Sequence, residues 1–316
     1  MKVKISVIIP AYNAGIYIEQ CVKSVLEQTY REFEIIIVDD GSDEISAKIY
    51  HAISLSDPRI VLCSQENKGA AAARNIGVKR AEGDYVVFLD ADDYWDDKNF
   101  LETAVKQIER KKCDILMFGF LNLKNGKYHN PQKKINKKRA SGELTVNKRK
   151  YILANVYNII SPCSKIIKKE VLDNYKIRFP EGRLHEDIDW AMELINVCKT
   201  FEIIDMAPYI RRIRNDSSSK QRTVKDCTDI IWLLEKWTNN ADENKCVFYG
   251  QLCFQLFILM GMSVDLSEKK MVQREIRKYY WLRKYPNNIK TFLGSIVTSL
   301  LPFCICCKIF NVYINR

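Results

Sequence analysis

The sequence lacks both of the glycine-rich signatures that commonly bind phosphate groups in α/β proteins. Neither G-x-G-x-x-G nor G-x-x-x-x-G-K-[ST] occurs among its 316 residues, which disfavours a Rossmann dehydrogenase and a P-loop enzyme. With 47% hydrophobic and 28% charged residues, the composition is typical of a globular protein and excludes wholesale disorder, collagen and coiled coil. The length allows one large domain or two modest ones.

The apolar segment near the C-terminus is shorter than a typical membrane span. Residues Thr291–Cys307 carry no charge over 17 positions, fewer than the ~20 residues of a spanning helix, and Pro302 interrupts them. Lys290 and Lys308 flank the segment, and such basic flanks suit an anionic membrane leaflet. We therefore expect residues 291–316 to act as a peripheral anchor on the inner face of the cell membrane. A helix packed on the protein body and a true span are the alternatives.

The cysteines do not indicate a disulfide framework. The chain contains eleven of them, and most stand singly among apolar residues, where free cysteine packs as a small hydrophobic side chain. No apolar signal-peptide core precedes the first strand-like run. Both observations predict a reducing, cytoplasmic environment.

Positive charge is in excess. Lys and Arg number 50 against 39 Asp and Glu, a formal net charge of +11, which favours an anionic partner such as nucleic acid, a phosphorylated small molecule or a membrane surface. Residues 124–150 contain ten basic residues and one acid, Glu143. We interpret them as a loop or hairpin insertion with a solvated basic surface; contact with a lipid phosphate is the alternative. Because no nucleic-acid-binding motif is recognised, we expect no nucleic-acid partner.

The first 120 residues alternate apolar runs with segments of helical periodicity. The predicted strands are Ile5–Ile9, Glu34–Val38, Arg59–Cys63 and Asp84–Leu89, and the predicted helices include Gly15–Gln28 and Gly69–Arg80. Strands separated by helices indicate crossover connections and an α/β fold with a mainly parallel sheet. Such sheets bind ligands at the carboxyl ends of their strands, which is where the polar clusters of this sequence fall.

The most informative cluster is the segment GDYVVFLDADDYWDD at the end of the fourth strand. Five aspartates fall within eight residues: Asp90, Asp92, Asp93, Asp96 and Asp97. Carboxylates this close repel one another, and a divalent cation relieves that conflict. Because Mg²⁺ or Mn²⁺ is commonly held by one or two carboxylates plus phosphate oxygens, Asp90 and Asp92 are candidate contacts for a metal and a diphosphate. We expect Asp96 and Asp97 to open the next helix, where the helix dipole favours acids.

Three more segments place polar residues after a strand or on the following helix. In IIIVDDGS, an aspartate is able to accept hydrogen bonds from a ribose hydroxyl or a base N–H, although Asp-Gly-Ser is also an ordinary turn. In SVIIPAYNAG, Pro10 is expected to end the strand and Tyr12 to stack on a base. In NKGAAAARNIG, Arg74 lies on the helix that leads to the acidic strand. It pairs either with a phosphate or with one of the aspartates as a structural salt bridge.

Taken in order, PAYN, VDDGS, NKGAAAARNIG and FLDADD resemble the motifs of the family 2 inverting glycosyltransferases, which have the GT-A fold. The resemblance covers residues 4–97 and implies roles for particular positions. Pro10, Tyr12 and Asp40 would hold the nucleotide base, and Arg74 would lie near the diphosphate and base. Asp90 and Asp92 would form the DxD motif, with Asp90 on the ribose and Asp92 on a metal-bound diphosphate.

A later block, LHEDIDW, looks like the ED motif of the same family. Its second acid, Asp187, would be the general base that takes the proton of the acceptor hydroxyl, with Glu186 beside it. The segment PYIRRIRNDSSS resembles one found after the ED motif in bacterial members that make capsules, exopolysaccharides and lipopolysaccharides. Arg212 and Arg214 match it and would support a diphosphate or acceptor phosphate, whereas Arg211 stands where an aromatic residue is usual.

The resemblance implies an inverting hexosyltransferase that uses Mn²⁺ or Mg²⁺ and a nucleotide-diphosphate sugar, with a UDP-sugar favoured. Because the QxxRW motif of processive synthases is not evident, it would transfer a single sugar. The acceptor would be a glycan, which we expect to be lipid-linked. We expect a nucleotide-sugar-binding half over residues 1–120, an acceptor-binding half over 121–222 and a helical region over 223–316. The alternatives are a sugar-phosphate nucleotidyltransferase and a catalytically silent carbohydrate-binding protein.

Overall fold

The chain folds into two compact units. A computed structural model describes residues 2–131, 135–155, 159–213, 223–239, 243–266 and 268–314. The first unit, here called the sheet unit, comprises residues 1–144, 158–182 and 186–216. The second, here called the helical unit, comprises residues 145–157, 183–185 and 217–316.

Strands are confined to the sheet unit, within the described part of the chain. They are β1 (Ile5–Ala11), β2 (Phe33–Asp39), β3 (Ile60–Ser64), β4 (Tyr85–Phe88), β5 (Tyr94–Trp95), β6 (Ile115–Met117), β7 (Phe120–Lys124), β8 (Lys127–His129), β9 (Gly142–Glu143), β10 (Lys165–Lys168), β11 (Thr200–Ile203) and β12 (Tyr209–Arg212). The helices of this unit are α1 (Gly15–Leu26), α2 (Glu44–Ser54), α3 (Ala70–Arg80), α4 (Phe100–Lys111), α5 (Lys137–Ala140), α7 (Lys169–Asn174) and α8 (Glu186–Val197). The helical unit contains α6 (Val146–Asn155), α9 (Val224–Thr238), α10 (Tyr249–Met262), α11 (Lys269–Lys278), α12 (Ile289–Leu300) and α13 (Phe303–Ile314).

An eight-stranded mixed sheet forms the centre of the sheet unit, with strand order β3-β2-β1-β4-β10-β6-β11-β9. β1 is parallel to β2 and β4, and β2 is parallel to β3, as the sequence predicts. β10 is antiparallel to β4 and β6, so the sheet is mixed beyond the fourth strand. Because β1, β2 and β4 run in the same direction, the loops that follow them lie at one edge.

A second sheet of four strands, in the order β5-β12-β7-β8, adjoins the acidic segment. β12 is antiparallel to β5, with Tyr209 opposite Trp95, and parallel to β7. This pairing joins a strand late in the sequence to the loop that carries the aspartates. It therefore places the segment around Tyr209 beside the end of β4.

Apolar runs build the core on which this edge rests. The four residues Ile35–Val38 of β2 and the three residues Val7–Ile9 of β1 are almost completely buried. Burying one such side chain stabilises the fold by roughly 1.5–3 kcal/mol. Helix α3 packs close to β1 because Gly77 has no side chain. A Cβ at Gly77 would lie 2.2 Å from Cγ2 of Ile8, so any larger residue would push the helix away.

The six elements predicted in the first 90 residues are all present, with ends within two residues of the predicted ones. Two details of the prediction are wrong. Pro10 lies inside β1, which continues to Ala11. Asp96 and Asp97 do not open a helix, because α4 begins at Phe100. Oδ1 of Asp97 instead accepts a hydrogen bond from the backbone N–H of Asn99 at 2.8 Å.

The basic stretch of residues 124–150 begins with a hairpin formed by β7 and β8. Asn125 and Gly126 form its turn with φ values of 51° and 73°, the positive values that a two-residue hairpin turn requires. Helix α5, strand β9 and the first part of α6 follow; residues 132–134 lie outside the described residues.

Helix α10 is the centre of the helical unit and is buried on nearly all sides. Helix α13 packs against it, with the rings of Phe257 and Phe310 stacked 4.7 Å apart. Pro302 separates α12 from α13, so the uncharged segment Thr291–Cys307 forms parts of two helices. Within the described ranges, no helix is at once long and apolar enough to cross a membrane.

Candidate active site

The loops that follow β1 and β2 are tied together at the carboxyl edge of the main sheet. The backbone N–H of Asn13 donates to Oγ of Ser42 at 3.0 Å, and Oδ1 of Asn13 accepts from the N–H of Asp43 at 2.8 Å. Tyr12, in the same loop, is 55% exposed, and Pro10 is half-buried in β1. The exposed ring of Tyr12 is available for stacking, which is the property that its predicted role requires.

Asp40 is buried just beyond β2 and organises the loop that leads into α3. Its Oδ1 accepts hydrogen bonds from Nε2 of Gln65 and from the backbone N–H of Lys68, and its Oδ2 accepts from the N–H of Gly69 at 2.9 Å. The carboxylate therefore positions the start of α3. Its contact with a nucleotide base stays a prediction.

Arg74, on α3, joins the two acidic motifs. Its Nη2 lies 3.0 Å from Oδ1 of Asp90, and its Nη1 lies 3.2 Å from Oε1 of Glu186. Burial alone would lower the pKa of the Arg74 guanidinium, but these carboxylates, with Cys163, hold it above its ordinary value. Nε of Arg74 is buried and has no acceptor among the described residues. The structural salt bridge is thus present, and it connects residues 112 positions apart.

An aromatic cluster supports Arg74 and the start of α8. The guanidinium lies 5.4 Å from the ring centre of Phe179, which stacks on Trp190 at 4.4 Å. Phe88 of β4 meets both rings edge-on. Asn75, next to Arg74, donates to the carbonyl of Phe179 and accepts from its N–H. These contacts fix α8 relative to α3 and thereby place Glu186 and Asp187.

The carboxylates of the acidic loop after β4 differ in their exposure to solvent. Asp93 is buried and accepts hydrogen bonds from the hydroxyl of Tyr209 at 2.5 Å and from the N–H of Arg212 at 2.8 Å. Burial, together with the charges of Asp90 and Asp92, raises the pKa of Asp93 to about 8. Asp90 and Asp92 are both partly exposed. Asp93 therefore serves to hold the loop, while the other two carboxylates face a ligand more readily.

Arg212 packs against this loop. Its Nη1 donates to the carbonyl of Asp92 and its Nη2 to Oε1 of Gln20. Its guanidinium lies 4.6 Å from the ring centre of Tyr94. These contacts make Arg212 part of the support of the acidic loop, and its contact with a phosphate stays a prediction. Arg214 lies outside the described residues.

Asp187 is half-buried in the first turn of α8, and a buried lysine lies within reach of its charge. Lys165, on β10, has none of its surface exposed. Its Nζ donates to the carbonyl of Ser161 and lies 5.4 Å from the ring centre of Trp190. Burial lowers the pKa of Lys165 to about 7, against the opposing influence of Cys163 and Asp187.

The acidic loop fits a divalent cation that a bound diphosphate also contacts. No three His, Cys, Asp or Glu side chains of the described residues form a ready-made metal cluster. Asp93 uses both carboxylate oxygens to accept hydrogen bonds from Tyr209 and Arg212, whereas Asp90 contacts Arg74 through Oδ1. One or two carboxylates with additional phosphate oxygens are a common donor set for Mg²⁺ or Mn²⁺, and Asp90 and Asp92 are able to supply that number.

Sequence reasoning missed three residues of this site: Asp93 as the internal anchor, its partner Tyr209, and Lys165. The partner of Asp93 is not readable from spacing, because β12 follows more than 100 residues later. One available signal was that a buried carboxylate needs hydrogen-bond donors. Lys165 opens strand β10 ahead of Ile166 and Ile167, and its burial is not readable from that local pattern.

Comparison with known proteins agrees with the geometry. The family described as "Glycosyl transferase family 2" matches residues 6–176. Glycosyltransferase GlyG of Streptococcus pneumoniae serotype 4 is 35% identical over 262 residues, which cover 78% of this chain and 81% of GlyG. The minor teichoic acid biosynthesis protein GgaB of Bacillus subtilis strain 168 is 32% identical over 228 residues, 70% of this chain but only 24% of GgaB.

Solved structures show the same fold. S. aureus TarS (residues 1–349) in complex with UDP-GlcNAc superposes with a TM-score of 0.77 at 22% identity, covering 99% of this chain and 91% of that one. The mannosyltransferase PcManGT of Pyrobaculum calidifontis, solved with GDP-Man and Mn²⁺, gives a TM-score of 0.58 at 14% identity, with 100% and 89% coverage. The predicted GT-A fold is confirmed. Because the family match spans more than half of the chain and GlyG aligns over most of both proteins, the chain is a glycosyltransferase that belongs to glycosyl transferase family 2.

Proposed function

We propose that the protein is an inverting glycosyltransferase that moves one hexose from a UDP-sugar to a hydroxyl of a glycan acceptor in bacterial surface polysaccharide synthesis. The observation that carries the proposal is the double ion pair of Arg74 with Asp90 and Glu186. Asp90 is predicted to bind the donor, and Glu186 belongs to the motif predicted to activate the acceptor. Both contact the guanidinium of Arg74. That is the arrangement that direct transfer between two substrates requires.

The donor would occupy the carboxyl edge of the main sheet. Tyr12 would stack on the base, and Pro10 and Asp40 would line the same pocket, while Asp90 would accept a hydrogen bond from the ribose. The buried Nε of Arg74, which lacks an acceptor among the described residues, is a donor suited to an anionic ligand. UDP-GlcNAc in the TarS complex supports a uridine nucleotide.

Asp92 is the carboxylate that we assign to a divalent cation. Mn²⁺ or Mg²⁺ bound there together with the diphosphate would neutralise charge on the leaving nucleotide; the Mn²⁺ in the PcManGT complex supports this assignment. Arg212 holds the backbone of Asp92 in place through its carbonyl. Arg214 would add positive charge for the diphosphate or an acceptor phosphate.

Asp187 would act as the general base. A hydroxyl is a poor nucleophile, and a carboxylate within hydrogen-bond reach is able to take its proton as the new bond forms. Attack from the face opposite the leaving nucleotide inverts the anomeric carbon and needs no covalent intermediate. Glu186, held by Arg74, would fix the first turn of α8 so that Asp187 keeps its position.

The acceptor is proposed to be lipid-linked and reached at the inner face of the membrane. The teichoic acid role of GgaB supports a surface-polymer pathway. Helices α12 and α13 carry many exposed apolar side chains, which supports peripheral docking of the C-terminal segment. Membership of the glycosyltransferase family removes the nucleotidyltransferase alternative, and a catalytically silent binding protein is excluded if sugar transfer is detected.

The test is calorimetric titration of UDP, GDP, TDP and CDP, each with and without Mn²⁺. We expect UDP to bind with an affinity that Mn²⁺ increases, and Asp92→Asn to lose the Mn²⁺-dependent part. Asp96→Asn is the matched control, because Asp96 is exposed in the same segment. Binding of another nucleotide would change the donor assignment. Equal metal dependence in both variants would move the metal away from Asp92.

A further inference from the structure

The helical unit contains an apolar cleft that the proposed transfer reaction does not use. Its volume is about 210 Å³, and it lies between α10, α12 and α13. The stacked rings of Phe257 and Phe310 contribute to its wall, together with Ile258 and Val297. For comparison, an engineered apolar cavity of ~150 Å³ stays dry and binds benzene.

The close approach of α12 to α10 depends on a glycine in the cleft wall. A Cβ at Gly294 would lie 2.5 Å from Cε2 of Phe257, a distance that no side chain tolerates. The absence of a side chain lets the backbone of α12 face the ring directly. The wall is therefore smooth and apolar, which suits a hydrocarbon and offers little to a polar ligand.

The rim of the cleft joins an exposed apolar face. Ten large apolar side chains between Ile289 and Tyr313 are exposed, including Leu293 and Tyr313 of the cleft wall. Surfaces of this kind mark sites of contact with proteins or membranes. The face is therefore a candidate for an apolar partner that continues into the cleft.

The charges around this face favour a membrane lipid over a protein as its partner. From Ile276 to the end of the sequence there are seven Lys and Arg residues and no Asp or Glu. Lys290 lines the cleft, with its Nζ 5.8 Å from the ring centre of Tyr313, and is exposed. A cation beside an apolar opening complements a molecule with a hydrocarbon chain and an anionic phosphate head.

We propose that this cleft binds one hydrocarbon chain of an anionic phospholipid, with Lys290 paired to the lipid phosphate. The inference deepens the proposed membrane docking and rests on it, because the lipid would come from the bilayer. It assigns α12 and α13 a defined lipid site in addition to general adsorption of an apolar face.

The direct test uses monomeric dihexanoyl-phosphatidylglycerol, below the concentration at which it forms micelles. Val297→Trp would fill the cleft, and Ile296→Trp places the same side chain on the adjacent exposed position of α12, outside the cleft wall. We expect wild type and Ile296→Trp to bind the lipid and Val297→Trp to bind about tenfold more weakly or not at all. Equal binding by the two tryptophan variants would overturn the proposal.

A second pair of variants keeps the test informative if Val297→Trp fails to fold. Lys290→Gln should weaken binding of the phosphatidylglycerol probe about two- to fivefold, the effect of an exposed ion pair. Lys308→Gln should not, because Lys308 is outside the cleft wall. Dihexanoyl-phosphatidylcholine and inorganic phosphate should bind more weakly to wild type than phosphatidylglycerol does. Equal effects of the two lysine substitutions would contradict the assigned phosphate contact.

Flotation with phosphatidylglycerol vesicles measures membrane docking, which is a separate property from binding of a single lipid in the cleft. Vesicle binding without binding of the short-chain lipid would leave docking intact and overturn the lipid site. Binding of the short-chain lipid without vesicle binding would support the site and overturn docking. A dimer that Val297→Trp dissociates, in a protein that binds no lipid, would assign the cleft to a second copy of the chain and overturn the proposal.

Discussion

The two units of this protein depart from a simple folded globule in opposite ways. The sheet unit buries ionisable groups: Arg74, Asp93 and Lys165 are all nearly inaccessible to solvent. The helical unit instead exposes apolar ones, most densely on α12 and α13. Burying an ionisable group and exposing a large apolar face both cost stability. Each of these features is the basis of a proposal made above: a nucleotide site in the sheet unit and a lipid-binding face in the helical unit.

The difference is visible in how each unit satisfies its polar groups. In the sheet unit, Arg74 and Asp93 each hydrogen-bond to groups more than 100 positions away in the sequence, and the Nζ of Lys165 lies 5.4 Å from the ring centre of Trp190. In α12, the hydroxyls bond within the helix or to nearby residues: Thr298 donates to the carbonyl of Gly294, and Ser295 donates to the carbonyl of Arg283, 12 positions away. Long-range pairing fixes side chains in one geometry, which chemistry requires, whereas docking to a fluid surface does not.

The largest effect should come from the proposed base. Asp187→Asn keeps the shape of the side chain and removes its ability to accept a proton. We expect the transfer rate to fall by roughly 10²–10⁴-fold while UDP binding is unchanged, as measured by turnover and calorimetry. Asp205→Asn, an exposed acid of the same unit, is the control. Retained turnover in Asp187→Asn would remove this residue from the mechanism.

The second-largest effect should come from Arg74, whose buried guanidinium contacts two acids of the site. Arg74→Met leaves the partly exposed Asp90 and Glu186 without their cation, and losing hydrogen bonds to charged groups should cost about 1.5–3 kcal/mol in the free energy of unfolding. Urea unfolding measures this loss. Lys48→Met breaks an exposed ion pair on α2 and should be close to neutral. Similar losses in the two variants would show that Arg74 has no special structural role.

The lowered pKa of Lys165 predicts that the free energy of unfolding depends on pH. Its pKa in the folded protein is about 7, against ~10.4 in an unfolded chain. Between these values the unfolded chain binds a proton that the folded chain does not. The free energy of unfolding should therefore rise with pH in this window, by at most about 1.4 kcal/mol per pH unit, and be independent of this group below it.

The check is urea unfolding of wild type and Lys165→Met at pH 6, 7.5 and 9. The difference in unfolding free energy between the two proteins should change with pH only above about 7. Parallel curves across the whole range would mean that Lys165 is not buried as an uncharged amine.

The smallest effect should come from substituting one exposed leucine of the helical unit. Leu300 on α12 and Leu55 after α2 are both 76% exposed, so Leu300→Glu and Leu55→Glu form a matched pair. Only Leu300→Glu should weaken flotation with anionic vesicles, by roughly tenfold, because it puts an anion into the proposed docking face. Equal weakening by both variants would remove the contrast between the units.

Much of the sheet unit was predictable because its signals are local. Uninterrupted apolar runs marked β1, β2 and β4, and acidic residues directly after them marked the ligand edge. The strand Lys165–Lys168 was harder, because its antiparallel insertion between β4 and β6 depends on pairing across long distances. The expected helix at Asp96 failed for a similar reason: Tyr94 and Trp95 pair with β12, and that contact delays α4.

The family, the α/β order of the first 120 residues and the residue types of the acidic motifs follow from the amino-acid sequence alone, because they depend on local spacing. Which acids meet which partners depends on the folded arrangement. Only the folded chain brings Arg74 to Glu186, Tyr209 to Asp93 and Lys165 into the field of Asp187. The same holds for the apolar cleft, because the volume between three helices depends on how closely their backbones approach.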